Sequence, residues 1–216
     1  MSTNAKRKLA DEMYGDGAQK KERVLHIIAG PPGAGKSSVL SDPLKAEYGA
    51  FELDADLVKP RVPGYEGGLG NPAVREDANE ITQMMLQRLF TNGDNIVYPQ
   101  LASNQAKLEA LIAEARKHGY KVALHLADIP PERAALRVYE RGMKPPDPVT
   151  GMKQILPPEL PLSVGYGPQE VFMRIVSEGK VDAYSYYYTN VKYGEPRIEV
   201  MRSQNKIPTG AKAADR

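Results

Sequence analysis

Val24-Leu25-His26-Ile27-Ile28-Ala29-Gly30-Pro31-Pro32-Gly33-Ala34-Gly35-Lys36-Ser37-Ser38-Val39-Leu40 decides how this chain is read. An apolar run, Val24 to Ala29, breaks into Gly30 to Ser37, the G-x-x-x-x-G-K-[ST] spacing of a phosphate-binding loop. Glycine opens backbone conformations closed to other residues, so successive N–H groups can turn inward at phosphate oxygens. The helix expected behind the loop adds the partial positive charge of its N-terminus. Lys36 can reach the β- and γ-phosphates as a point charge, and Ser37 can offer its hydroxyl to Mg²⁺. The stretch predicts a nucleoside-triphosphate site made of Gly30, Pro31, Pro32, Gly33, Ala34, Gly35, Lys36, Ser37 and Ser38. The competing reading is a glycine-rich turn before a helix; the strand before and helix after argue against it.

Working outward, apolar runs alternate with helical periods. Phe51 to Asp54 reads as a strand, followed by a breaker-dense loop over 60–72. Ile81, Met84, Met85, Leu86 and Leu89 keep the 3–4 spacing of a helix over 73–90, ended by Asn92-Gly93. Asn95 to Tyr98 is a strand stopped by Pro99. Ser103 is expected to cap a helix through His118, closed by Gly119. Tyr120 to Ala127 is a strand, and Pro131 opens a helix reaching Arg141-Gly142. Residues 143–168 are rich in proline and glycine and read as an irregular connection, either linker or active-site cover. A short helix over 170–177 and strands over 184–191 and 197–202 complete the series. The tyrosines at 184, 186, 187 and 188 read as strand positions packing in alternation. This order predicts an α/β fold: a mostly parallel sheet flanked by helices on both faces. Ligands in such sheets bind at the carboxyl ends of strands, which groups the loop with Asp54, Asp56, residues 99–104 and Asp128.

Composition narrows the function classes. With 216 residues, one domain with tails is expected: a polar N-terminal arm over 1–22, the main domain over 23–204 and a disordered tail over 205–216. The arm reads as mobile, or as a short helix docking through Leu9, Met13 and Tyr14. A net charge of +2 argues against nucleic acid held on a broad basic surface. The absence of cysteine excludes a thiol nucleophile, a disulfide framework and a cysteine metal site. Histidines 26, 118 and 125 lack metal-ligand spacing, and His26 and His125 sit in strand-like runs that predict core positions. Without a membrane-length apolar run or a secretory h-region, a cytoplasmic protein is expected.

Beyond the loop, Asp54 and Asp56 end the second strand. In phosphoryl transfer one carboxylate can accept the acceptor's proton while another holds Mg²⁺. Asp56 is the candidate base and Asp54 the candidate metal ligand; the alternative is that the pair only caps the next helix. Cations are needed where charge shifts in the transition state. Arg133, Arg137 and Arg141 lie on the helix after the fourth strand, and Lys144 and Lys153 follow it. Arg141 and Lys153 are the leading candidates, Arg137 shares a face with Arg141, and a solvated helix face is the alternative.

These pieces in this order resemble the zeta-toxin family of small P-loop kinases. The resemblance rests on the loop, on Leu53-Asp54-Ala55-Asp56-Leu57-Val58-Lys59, on the helix from Asn79 to Leu89, on Asn95-Ile96-Val97, on Gly119-Tyr120-Lys121-Val122 and on Tyr139-Glu140-Arg141. It covers about residues 23–200. It implies a P-loop kinase fold, ATP and Mg²⁺ as cofactors, phosphorylation of a hydroxyl of UDP-N-acetylglucosamine, and an antitoxin that blocks the nucleotide site. It further implies Lys36 as the loop lysine, Ser37 as the metal-side hydroxyl and Asp56 as the general base. Arg141 matches a phosphate-stabilising arginine, Lys153 stands near a second family arginine, and Asn79 matches a helix asparagine that faces the acceptor. One departure stands out: after the third strand the family carries Glu-Gly-Thr, whereas here Val97-Tyr98-Pro99-Gln100-Leu101-Ala102-Ser103-Asn104 has no acid. Gln100, Ser103 and Asn104 remain as neutral acceptor-binding candidates, and acceptor identity is the open point.

The expected activity is thus an ATP-dependent kinase acting on a small-molecule hydroxyl, with a nucleotide sugar favoured and an antitoxin or immunity protein as the expected partner. A polynucleotide-end kinase on the same scaffold and an ATP-binding module without transfer are the alternatives; steep salt dependence marks the first, absence of acceptor-dependent ADP release the second.

Overall fold

The computed structural model describes residues 1–65, 72–145, 156–191 and 195–205. The chain begins with α1 (Thr3–Tyr14), then β1 (Val24–Ala29), a π-helical turn (Ser37–Ser41) continuing as α2 (Asp42–Tyr48), and β2 (Phe51–Glu52). There follow α3 (Ala55–Val58), a 3-10 turn (Lys59–Arg61), α4 (Pro72–Asn92), β3 (Ile96–Gln100), α5 (Gln105–Lys117) and β4 (Lys121–Asp128). Helices α6 (Pro131–Met143), α7 (Glu159–Val164) and α8 (Gly167–Ser177) lead to β5 (Ala183–Tyr188) and β6 (Ile198–Arg202).

The strands form one sheet in the order β2-β3-β1-β4-β5-β6. Every neighbouring pair is parallel except β5 with β6. This is the mostly parallel α/β fold expected from the alternation. Every residue of β1 is buried, which explains its unbroken apolar run: a central parallel strand is covered on both faces. After β1 the order reverses, with β3 on one flank and β4 on the other, and the Gly30 loop leaves the sheet at that switch point.

Alternate residues feed two packed layers. Leu25 and Ile27 of β1 meet Leu9 of α1, Val58 of α3, Ile81 and Leu89 of α4, Ile112 of α5 and Phe172 of α8. On the opposite face Ile28 meets Ala34 of the loop, Leu40 of the π turn and Ala134 of α6. The β5 tyrosines alternate as expected, with Tyr186 in the first layer and Tyr187 in the second.

Several boundaries differ from expectation. Strand β3 runs through Pro99 to Gln100. Val97 turns its carbonyl to the Leu53 N–H (2.9 Å), so Pro99, two residues on, turns its nitrogen to the same flank, where β2 has already ended. No ladder donor is lost there. The α5 cap is Asn104, not Ser103: its Oδ1 accepts the Lys107 N–H at 3.0 Å. Within the stretch read as irregular, α7 forms and α8 starts at Gly167, because Pro161 and Pro168 stand in first turns where a missing N–H costs nothing. Residues 3–14 form a helix that docks on α4, with Leu9, Ala10 and Tyr14 buried. The Tyr14 hydroxyl donates to the buried Asp94 carboxylate at 2.7 Å, and the Glu22 N–H donates to Asn95 Oδ1 at 2.9 Å, so the following segment is tied down as well. The docking alternative, not the mobile arm, describes this segment. From residue 206 on, the expected tail lies outside the described residues. Among the described residues no helix is long and apolar enough to cross a membrane.

Candidate active site

The loop between β1 and the π turn is shaped by its glycines. Gly30 has φ +148°, and a Cβ there would stand 2.4 Å from the Ala127 carbonyl oxygen of β4. Gly33 has φ +84°, and a Cβ there would stand 2.6 Å from the Ala134 carbonyl oxygen of α6. Any side chain at either place would push β4 or α6 off the loop. Lys36 folds back over this cradle, its Nζ donating to the carbonyls of Gly30 (2.8 Å) and Pro31 (3.1 Å). Burial pushes its amine down to about 8, against the opposing pull of Asp54 and Asp56 and with the help of Arg141. Asp54, Asp56 and Arg141 therefore all lie within electrostatic reach of Lys36 at the carboxyl edge of the sheet.

Asp54 caps α3, its Oδ1 accepting the Asp56 N–H at 2.8 Å. The capping reading of the Asp-x-Asp pair is thus real for Asp54. Burial raises its carboxyl to about 6; the Asp56 N–H bond opposes the rise and the Asp56 charge adds to it. Such a carboxylate is short of compensating positive charge. Together with the exposed Ser37 it offers oxygen donors only, a set that suits Mg²⁺, which keeps several waters and takes further oxygens from phosphates. Among the described residues no group of three or more His, Asp or Glu is placed to hold a metal ion. Asp56 is half-exposed, with Oδ1 held by Lys59 Nζ at 2.6 Å.

Helix α6 lays Arg133, Arg137 and Arg141 along one face at four-residue intervals. Arg137 donates to the Gly33 carbonyl (3.4 Å) in the loop and to Thr189 (2.8 Å) and Val191 (3.4 Å) beyond β5. Burial, then the neighbouring Arg133, holds its guanidinium below the usual range. Arg133 reaches Asn190 Oδ1 at 3.3 Å. Arg137, offered by the sequence only as a face-mate of Arg141, is the strut between loop and sheet. Lys153 lies outside the described residues.

The sequence model of the Zeta toxin family matches residues 10–184. This chain belongs to the zeta toxin family. It is an ATP-dependent kinase. Among solved structures, it is similar to one from the PezAT chromosomal toxin–antitoxin system of Streptococcus pneumoniae, at 16% identity and a TM-score of 0.72, covering 97% of this chain and 85% of that one. It is also similar to the AvrRxo1-ORF1:AvrRxo1-ORF2 complex, at 17% identity and a TM-score of 0.68, covering 92% of this chain and 66% of that one. The same complex solved with ATP aligns at 19% identity and a TM-score of 0.62, covering 92% of this chain and 64% of that one. No curated protein matches by sequence.

In this zeta-toxin frame the acceptor candidates separate. Gln100 lies beside Ala29 in the β1–β3 register, next to the loop's start, and is hydrogen-bonded to the Tyr98 side chain, whose hydroxyl burial pushes up. Ser103 is exposed and abuts Gly167 at the head of α8, where an added Cβ would stand 3.3 Å from the Ser103 Cβ. The Asn104 side chain is engaged as a helix cap. Asn79 lines a groove of about 690 Å³ between α1 and α4, beside Arg7, Gln83 and Arg88. No contact among the described residues joins it to Lys36 or Asp56. Asp128, noted in the sequence only for ending β4, is buried and accepts the Tyr186 hydroxyl at 2.6 Å, which in turn accepts Gln169 Nε2 at 2.7 Å.

Proposed function

We propose that the chain transfers the γ-phosphoryl group of ATP to a hydroxyl of a small-molecule acceptor, with UDP-N-acetylglucosamine or a related nucleotide conjugate the leading class. The placing of Asp54, Asp56 and Arg141 within electrostatic reach of Lys36 at the loop carries this reading. The loop's N–H groups and Lys36 grip the phosphates, and Lys36 leaves the Gly30 and Pro31 carbonyls to do so. Mg²⁺, when bound beside Ser37 and Asp54, neutralises charge on the β- and γ-phosphates. Asp56 accepts the acceptor's hydroxyl proton as that oxygen bonds to the γ-phosphorus. The bond from the γ-phosphorus to the bridging oxygen then breaks and ADP departs. Arg141 stabilises the charge on the phosphoryl group in flight.

The acceptor side is neutral in the β3–α5 loop, where Gln100 and Ser103 can pair with hydroxyls or amides. A toxin–antitoxin system and a two-protein complex among the structural neighbours support an antitoxin-like partner for this chain, and the ATP complex supports ATP as donor.

The test is phosphotransfer from labelled ATP to a panel of nucleotide sugars, nucleosides, NAD and short RNA. UDP-N-acetylglucosamine or another nucleotide conjugate is expected to take the label. Asp56→Asn is expected to keep ATP binding and lose about 10²- to 10⁴-fold in transfer. Transfer surviving that change would remove Asp56 as the base; labelling of RNA alone would replace the acceptor class.

A further inference from the structure

Asp56 stands on a helix of only four residues, Ala55–Val58, too short to fix a side chain by its own packing. Two contacts hold it. Its N–H is bound by Asp54 Oδ1 at 2.8 Å, and its own Oδ1 is bound by Lys59 Nζ at 2.6 Å. Short-range ion pairs on helices usually lie open to water and contribute about 0–1 kcal/mol. Lys8–Glu12 and Lys117–Glu114 are of that kind, with lysine side chains 82% and 73% exposed. Lys59 reverses the pattern: its side chain is 15% exposed while its partner Asp56 is 45% exposed. The cation is the enclosed member and the carboxylate the presented one. The backbone of Lys59 is pinned as well. Its N–H bonds the Ala55 carbonyl, its carbonyl accepts the Val62 N–H at 3.1 Å, and Pro60 stiffens the turn between.

We infer that Lys59 is a positioning residue for phosphoryl transfer. It holds Oδ1 of Asp56 so that Oδ2 is left for the acceptor's proton. This rests on the reading of Asp56 as the base. A misplaced base lowers the rate without loosening either substrate, because the ligands of ATP are elsewhere.

The experiment measures steady-state transfer from MgATP to UDP-N-acetylglucosamine, or to the panel member that accepts the label, in the full chain carrying Lys59→Met, Lys59→Arg, Asp56→Asn and the Asp56→Asn/Lys59→Met pair. Lys59→Met is expected to lower kcat about 10- to 100-fold with both KM values within about threefold of the parent. Lys59→Arg is expected to restore most of the rate, and Lys59→Met is expected to add nothing in the Asp56→Asn background. If Lys59→Met loses its melting transition, Lys59→Gln takes its place in the same cycle. A kcat within about threefold of the parent overturns the role, and so does a loss of equal size in the Asp56→Asn background, which marks a structural effect. Full activity in Asp56→Asn removes the base assignment itself. Loss there with an unaltered Lys59→Met removes Lys59 alone.

Discussion

Lys36 and Asp54 set the pH window of the free enzyme. Burial brings the Lys36 amine to about 8 and the Asp54 carboxyl to about 6. In the proposed roles, raising pH through 8 removes the charge meant for the phosphates, and lowering it through 6 protonates the carboxylate offered to the metal. The profile of kcat/KM for MgATP is therefore expected to be bell-shaped, falling about tenfold per pH unit outside that window. An alkaline limb that survives to pH 10 would show that Lys36 does not control donor binding. At this scale the loop itself was readable, because three glycines, a lysine and a serine at fixed spacing have one use behind a strand. Arg137 and Lys59 were not. Their partners are the Gly33 carbonyl and the Asp56 carboxylate as placed by the folded backbone, and helical periodicity marks a shared face without saying what that face meets.

Elements were readable where one physical signal ruled, and misread where two competed. The buried strands β1 and β4 announce themselves as apolar runs. Prolines were taken as breakers, yet Pro161 and Pro168 occupy first turns and Pro99 sits on an open flank, distinctions that need the neighbours in place. Helix α1 shows the same limit. Its charges suggest solvent, but Lys6 bridges Asp77 and Glu80 at 2.7 and 2.8 Å across the α1–α4 contact. Below it, Asp94 is fully buried and takes its shortest bond from the Tyr14 hydroxyl at 2.7 Å, with the Ala18 N–H at 3.3 Å and the Lys21 ammonium at 3.6 Å as weaker partners. Tyr14→Phe keeps the ring and removes that donor. A loss of about 1–3 kcal/mol is expected from urea unfolding at unchanged m-value. A change below about 0.5 kcal/mol would mean that the Tyr14–Asp94 bond adds nothing to the docking of α1.

Across the whole molecule, the central strands carry a buried polar thread. His26 Nδ1 lies 2.9 Å from His125 Nε2, and His125 Nδ1 lies 2.7 Å from Ser185 Oγ, so one line crosses β1, β4 and β5. His26 Nε2 is buried without a hydrogen-bond partner among the described residues. Burial holds both imidazoles neutral, His26 well below its ordinary range and His125 down to about 3. The unfolded chain binds protons on these rings below about pH 6.5 while the folded one does not. Stability is therefore full above about 6.5 and falls as pH drops toward 3, by up to about 1.4 kcal/mol per pH unit for each ring. His125→Gln is expected to flatten that slope by about one proton's worth between pH 6 and 4, read as the pH dependence of urea unfolding. An unchanged slope would show that His125 carries none of the acid loss.

The two layers on either side of the sheet have a bearing on how such a protein changes over time. The packing of the loop, the π turn and α6 lies on one face; α4, α5 and α8 lie on the other. Substitutions beneath α5 and α8 can accumulate without disturbing Gly30 against Ala127 or Gly33 against Ala134. On the proposed reading, a lineage built this way can keep its phosphate loop while the face that carries α3, α5 and α8 drifts.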